Sequence, residues 1–553
     1  MRSLHLRWSS DPRDAAPRTA GSDIALVFAR SAAPREGEVV LADDLLSWEQ
    51  RSEIELRASA LLEMARAQLG DDDTLEASEY ELRVEWVNLL MAHTVGLALL
   101  RERGPFDAAL PSPLTPAAVT AGVEAALGLP ASTPTGATIA HRRHANRRDQ
   151  VARLIIGTRA ASSGTARLRV LTFPGMKLTA ALAELGAETL GELGVYVAAL
   201  AELGHGDAAR LILQLRLPAV ALPSTQAASA TPPSLGALTG EEALDAALAR
   251  AAAPVLARGV RRVRELVAVT ARLERLPQLR AIVVPTAALG VTRLLGRWAA
   301  ARGVVFASFQ HGIYGLIEGD GGDRRAQVLF GWGPDVARQV ALWAPPQPRL
   351  EAVGVPGLPG TYGASGAQRL RRVLVATTNN PFGTALARWS AREDFLDAIS
   401  DGLASARSAG VAVELRLHPV ESPHEYEEMD ERAGRDGLPL AAPGSFAEVA
   451  RGADLLVTPY SSVAFEAAAM AIPVALWIPS IPEAVRRRQL LPPVSDDLPG
   501  AFNDAAGFGA LIAQALAGDL EAPRRLAQSL TGYVAPLDAD RFAKALARLG
   551  DAS

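Results

Sequence analysis

The sequence predicts an α/β protein with two doubly wound parallel sheets facing each other across a cleft, plus extra helices towards the N-terminus. Three observations lead there. Short, apolar, β-branched runs alternate with helical stretches through residues 281–357 and again through 372–479, the pattern of parallel strands joined by helical crossovers. A polar, glycine-containing stretch, 358–368, separates the two series as a linker would. A chain of 553 residues is also too long for one core. The reading divides the chain into a Rossmann-like half with helical insertions (1–357), the linker (358–368), a second Rossmann-like half (369–535) and a terminal helical segment (536–553).

Composition narrows the function. There is no cysteine, which excludes disulfides, thiolate metal sites and a thiol nucleophile. A formal charge of −5 over this length argues against general nucleic-acid binding. Arginine is abundant while Lys177 and Lys544 are the only lysines, which reads as composition rather than mechanism. The N-terminus has no long apolar run and no stretch offers the twenty or so apolar residues of a membrane span. The expected place is the cytoplasm, with peripheral association at the inner face of the membrane open to it.

In the first half, residues 23–30 read as a strand, 48–69 as an amphipathic helix stopped by Gly70, and 75–101 as a second helix. Asp71-Asp72-Asp73 invites a metal reading, but acids before a helix are ordinary caps and dipole partners. The basic stretch 141–150 (HRRHANRRDQ) would suit an anionic acceptor or lipid head group. It is short and Asp149 interrupts it, so a solvated helix start is preferred. A strand is expected at 167–173, helices to about 217, a flexible Pro/Ser/Thr-rich loop at about 221–240, and a long helix over 241–275. Strands at 281–285, 304–309 and 328–332 follow. The second of these ends in Gln310-His311-Gly312. A glycine-dense loop holding Glu318, Asp320 and Asp323 comes next and reads as a mobile cleft loop.

The second half opens with a strand at 372–376 that ends in Thr377-Thr378-Asn379. Strands at 411–417 and 454–458 end in His418-Pro419 and Tyr460-Ser461-Ser462, and a helix over 463–470 leads to a strand at 473–477. In open parallel sheets ligands collect beyond the carboxyl ends of the strands. A helix that begins with two serines offers free N–H groups, two hydroxyls and a positive dipole end, all suited to phosphate oxygens. His418 can donate to a phosphate, or neutralise a leaving group if protonated. Pro419 stiffens the backbone after it, and Glu466 can accept from ribose hydroxyls. A serine at a helix start is most often only a cap, and His-Pro alone means little. Together on successive strand ends they favour a nucleotide-phosphate site.

At these residues the chain resembles a known group. Arg416-Leu417-His418-Pro419, followed by Thr458-Pro459-Tyr460-Ser461-Ser462-Val463-Ala464-Phe465-Glu466, looks like the "HP" and "SS" motifs of GT-B glycosyltransferases that use CMP-activated sugars, such as bacterial polysialyltransferases and capsule Kdo transferases. It is also similar to CDP-glycerol glycerophosphotransferases. The resemblance covers roughly residues 281–479. It implies a GT-B fold and a site in the cleft. His418, Ser461 and Ser462 would hold the phosphate of a cytidine nucleotide, with Gln310, His311 and Gly312 on the opposite wall.

On that resemblance Thr377, Thr378 and Asn379 meet phosphate or acceptor, and the helix at 540–549 crosses back to the first half. No metal or cofactor is implied. The expected reaction is transfer of an acidic sugar of sialic, pseudaminic or Kdo type from a CMP-linked donor to a surface saccharide, glycolipid or protein hydroxyl. The base candidates are His311, Glu318, Asp320 and Asp323, with the loop acids preferred. A CDP-glycerol or CDP-ribitol polyol-phosphate transferase, a UDP-sugar enzyme, and a nucleotide-binding scaffold in polysaccharide assembly remain as alternatives.

Overall fold

A computed structural model describes residues 3–7, 24–28, 38–70, 73–112, 115–131, 147–162, 164, 167–200, 203, 205–223, 231–317, 323–359, 369–378, 386, 389–433 and 435–551. These residues form three all-parallel sheets. The first has β1 (Ser3–Arg7), β2 (Ile24–Val27), β3 (Glu38–Leu41) and β4 (Ala108–Pro111), in the order β3-β2-β1-β4. The second has β5 (Val170–Thr172), β6 (Val195–Val197), β7 (Ala281–Val284), β8 (Val305–Phe309), β9 (Val328–Gly331) and β10 (Arg349–Ala352), in the order β10-β9-β8-β7-β5-β6. The third has β11 (Arg372–Ala376), β12 (Ala412–Arg416), β13 (Leu455–Pro459), β14 (Val474–Trp477) and β15 (Ala501–Phe502), in the order β12-β11-β13-β14-β15.

The α/β class with parallel sheets is therefore as the sequence predicts. β7, β9, β13 and β14 are buried at every position, as strands covered by helices on both faces must be. The second and third sheets each reverse their strand order once. The reversal lies between β5 and β7 in the second and between β11 and β13 in the third. Crevices open beyond the carboxyl ends at such reversals.

Local signals set several helix boundaries where the sequence places them. The helix Trp48–Leu69 starts at a reciprocal Ser47/Gln50 capping box and stops at Gly70, whose φ of +67° suits glycine. Asp73 opens the short helix Asp73–Glu76 and pairs with Arg297 at 3.0 Å. Of the basic stretch 141–150, the described part begins the helix Arg147–Ser162. In the expected flexible loop at 221–240, the backbone N–H groups of Leu238, Thr239 and Gly240 donate to the Asp245 carboxylate. That end of the loop is thus tied to the helix Glu242–Leu273. Among the described residues no helix is long and apolar enough to cross a membrane.

The N-terminal part departs from the reading. Besides helices it contains the first parallel sheet, of which only β2 was expected. β3 and β4 are four residues each and partly exposed, so neither carries a clear alternation. β6 lies within an alanine- and leucine-rich run that reads as helical, because three residues are too few to show a period. This N-terminal unit packs on both other sheets. Arg293 pairs with Glu76 at 3.2 Å and Glu79 at 2.6 Å on the second-sheet side. Asp43 accepts from the Ser390 N–H and hydroxyl at 2.8 Å on the third-sheet side.

The chain after the third sheet returns to the second. Val355 N–H donates to the Ala535 carbonyl at 2.8 Å, and the helix Ala539–Asp551 lies along the second sheet. Its Phe542 ring sits 5.6 Å from Phe309 and 5.1 Å from Phe330. Gly354 permits the return. A Cβ there would meet the Pro536 carbonyl oxygen at 2.2 Å, and its φ of +95° is one that side chains rarely adopt.

Candidate active site

A cavity of about 500 Å³ opens between the second and third sheets at the carboxyl ends of their strands. The second-sheet wall carries Lys177 after β5, His311 after β8 and Trp332 after β9. The third-sheet wall carries Thr378, Arg416, His418, Ser461, Ser462 and Glu466.

The serine pair sits where a buried strand must turn into a helix. β13 is entirely buried and ends at Pro459, Ser461 is extended (φ −153°, ψ 154°), and the helix Ser462–Ala469 follows. The Ser461 hydroxyl makes no capping hydrogen bond. The ordinary role of a serine at this position is therefore not the one it plays, and the first N–H groups of the helix border the cavity. The Ser462 hydroxyl accepts from the Ile313 N–H at 3.1 Å, which links the two walls. Gly312 allows that approach, since a Cβ on it would lie 3.3 Å from the Ser462 hydroxyl.

His418 is placed by its backbone. Its N–H donates to the Thr377 hydroxyl and to the Glu421 carboxylate, both at 2.9 Å. Glu421, its side chain wholly buried, also accepts from the Thr377 and Tyr426 hydroxyls and pairs with Arg392 at 3.2 Å. The carboxylate thereby joins the ends of β11 and β12. Sequence reasoning missed it, although an acid three residues past the histidine, in His-Pro-Val-Glu, is spaced to close a turn. Glu421→Gln keeps the shape but gives up the ion pair. It is expected to lower stability by about 1–3 kcal/mol, measured by urea denaturation.

Burial holds the His418 imidazole below its ordinary pKa. Glu421 opposes this, and the nearby Arg416 and Arg392 charges reinforce it. Near neutral pH the ring is therefore uncharged. Its Nδ1 lies 3.5 Å from the Val420 N–H as a long acceptor, which leaves Nε2 to carry the hydrogen. A hydrogen-bond donor is available, rather than the cation that the sequence reading also allowed.

Two cations line the cavity. The Arg416 guanidinium lies 5.5 Å from the centre of the Phe446 ring. Burial lowers its pKa while Glu466 opposes that, and it stays charged. The Lys177 ammonium is 2.9 Å from Glu466 and 5.7 Å from the centre of the Trp332 ring. Among the described lining residues Glu466 is the only acid, against Lys177, Arg416 and two histidines. The balance favours an anionic ligand. The sequence shows Arg416 within the His-Pro motif but assigns it no role, and it carries no signal that singles out Lys177.

Other expected site residues fall elsewhere. Gln310 is fully buried. Its amide accepts from the Trp332 N–H and donates to the Gly312 carbonyl, both at 2.9 Å, so it shapes the loop instead of meeting an acceptor. Asp323 is buried too. It accepts from the Thr286, Ser308 and Tyr314 hydroxyls and the Ala287 N–H, which makes it a structural hub behind the loop and not a base in the cleft. Thr377 is buried against Glu421, while Thr378 and Pro419 border the cavity. His311 is exposed and lines the cavity. Glu318, Asp320 and Asn379 lie outside the described residues.

No family model and no curated protein matches the chain. Among solved structures it is similar to Staphylococcus aureus MnaA in complex with UDP, at 12% identity and a TM-score of 0.40, covering 68% of this chain and 94% of that one. It is also similar to the wall teichoic acid polymerase TagF soaked with CDPG, at 11% identity and a TM-score of 0.35, covering 74% and 95%. A Thermobaculum terrenum O-GlcNAc transferase is similar at 15% identity and a TM-score of 0.35, covering 91% of each chain. At such identities the likeness is one of fold class alone.

Proposed function

We propose that the chain is a glycosyltransferase that moves an acidic sugar, of sialic, pseudaminic or Kdo type, from a CMP-activated donor to a hydroxyl of a saccharide, glycolipid or protein. One observation carries the reading. A helix N-terminus whose leading serine is not spent on a cap borders a cavity with two cations, Lys177 and Arg416, against one carboxylate, at the order reversal of a parallel sheet.

In this mechanism the donor phosphate lies at Ser461 and the first N–H groups of the helix. Negative charge grows on that phosphate as the glycosidic bond breaks. The helix end, Arg416 and the Nε2–H of His418 stabilise it, and all are held in place before the reaction. Glu466 accepts from the ribose hydroxyls. The acceptor hydroxyl approaches from the second-sheet wall, where His311 takes its proton. A polyol-phosphate transferase using CDP-glycerol or CDP-ribitol draws on the same groups.

Thermal denaturation with CMP, CDP, UDP, GDP and ADP at equal concentration tests this. A nucleotide present at 100 times its Kd adds about 2.7 kcal/mol to the folded state. CMP or CDP should raise the Tm by about 2 °C for a chain of this size, and a Ser461→Ala/Ser462→Ala variant should lose the shift. A preference for UDP would replace the cytidine reading with a UDP-sugar enzyme. No response to any nucleotide would favour a non-catalytic scaffold.

A further inference from the structure

Lys177 is one of two lysines in 553 residues, and it stands where the second sheet reverses its strand order. β5 ends at Thr172, Pro174-Gly175 turns the chain, and the helix Met176–Glu192 begins beside the cavity. The ammonium reaches across to Glu466, on the helix that starts at Ser462. The lysine side chain is 31% exposed and the glutamate 7%.

We infer that Lys177 is an anion-binding residue of the cleft. A bound nucleotide releases it by taking Glu466 through the ribose hydroxyls, and it then contacts an anionic group of the donor. The inference rests on the nucleotide reading of the site. Three physical points carry it. The pair joins a buried carboxylate to a part-exposed lysine, so water weakens it from the lysine's side and a ligand that satisfies the carboxylate can displace the lysine. The lysine stem is long and flexible and ends in a point charge, which a new anion can recruit by small rotations. The face of Trp332, 5.7 Å away, holds the ammonium at the cavity wall through its π-electrons once Glu466 is taken. Lys177 and His311 are the only cationic or titratable basic side chains that the second-sheet wall contributes among the described lining residues. The shared chemistry is an oxyanion, either a phosphate or the carboxylate of an acidic sugar.

Calorimetric titration of the full chain with CMP, UDP and CMP-N-acetylneuraminate, at low and high salt, tests it. Lys177→Met is expected to bind about tenfold more weakly, with a flatter salt dependence, and Lys177→Arg to stay near the native affinity. Equal weakening for the nucleotides and the nucleotide sugar assigns Lys177 to phosphate. Weakening for CMP-N-acetylneuraminate alone assigns it to the carboxylate. Native affinity and salt dependence in Lys177→Met, with only a shifted Tm, would reduce the lysine to a structural partner of Glu466 and overturn the inference. If the native chain binds none of the three, the nucleotide reading fails, and this inference with it.

Discussion

Replacing His418 with alanine is expected to cut turnover by about 100- to 10,000-fold while leaving the chain folded. The range is that of a donor aimed at charge that develops only in the transition state. KM should change less than kcat, because the uncharged imidazole adds little to ground-state binding beside Arg416 and the helix end. Full activity in this variant would remove His418 from the mechanism. The same substitution has a signature in stability against pH. Burial lowers the folded pKa below the ordinary value of 6.5, so between the two values the unfolded chain binds more protons. The stability tied to this group is thus complete above 6.5 and is lost as pH falls through the window beneath it. Native protein should lose Tm over that interval more steeply than His418→Ala. Parallel curves would mean that the imidazole is not desolvated as described.

Phe542→Ala is expected to cost about 3–5 kcal/mol, the range for deleting a buried aromatic ring. The side chain is fully buried against Phe309 and Phe330, at the ends of β8 and on β9. The consequence should reach the cleft. The helix Ala539–Asp551 follows the third sheet in the chain but packs on the second, and Arg548–Glu351 and Arg169–Asp551 pairs flank it. Loosening it unlinks the two walls, and β8 leads directly into Gln310-His311-Gly312. Turnover should fall although Phe542 touches no substrate. Nucleotide affinity should hold better, since Ser461, Arg416 and His418 all belong to the third sheet. Denaturant titration, proteolysis of the terminal helix and nucleotide titration on one preparation separate these effects. An unchanged denaturation midpoint would show that the helix is not a structural link.

The legible part of this protein follows from two local rules. Strands buried on both faces must be continuous apolar runs, and 281–284, 372–376, 455–459 and 474–477 stand out from the helices between them for that reason. Helix starts carry their own chemistry, so the position of Ser461-Ser462 and the extent of Trp48–Leu69 were readable directly. His418 was readable because it follows a strand end. Of the first sheet only β2 was legible, because β3 and β4 are short and partly exposed and so lack the continuous apolar run of a buried strand.

Local sequence is enough for the α/β class, the main strand series and the polar residues that end its strands. Those depend on neighbours within a few positions. Which of those residues meet depends on long-range packing. Gln310 and Asp323 have the chemistry of site residues, but the packing of β8, β9 and the segments after them buries both behind the loop. Lys177 and Glu466 are 289 residues apart and meet only because two sheets present the carboxyl ends of their strands to one cavity. Glu421 became the lock on His418 because parallel pairing sets β11 beside β12 and brings Thr377 to it. Residue type sets what a side chain can do, and long-range register sets what it has to do it with.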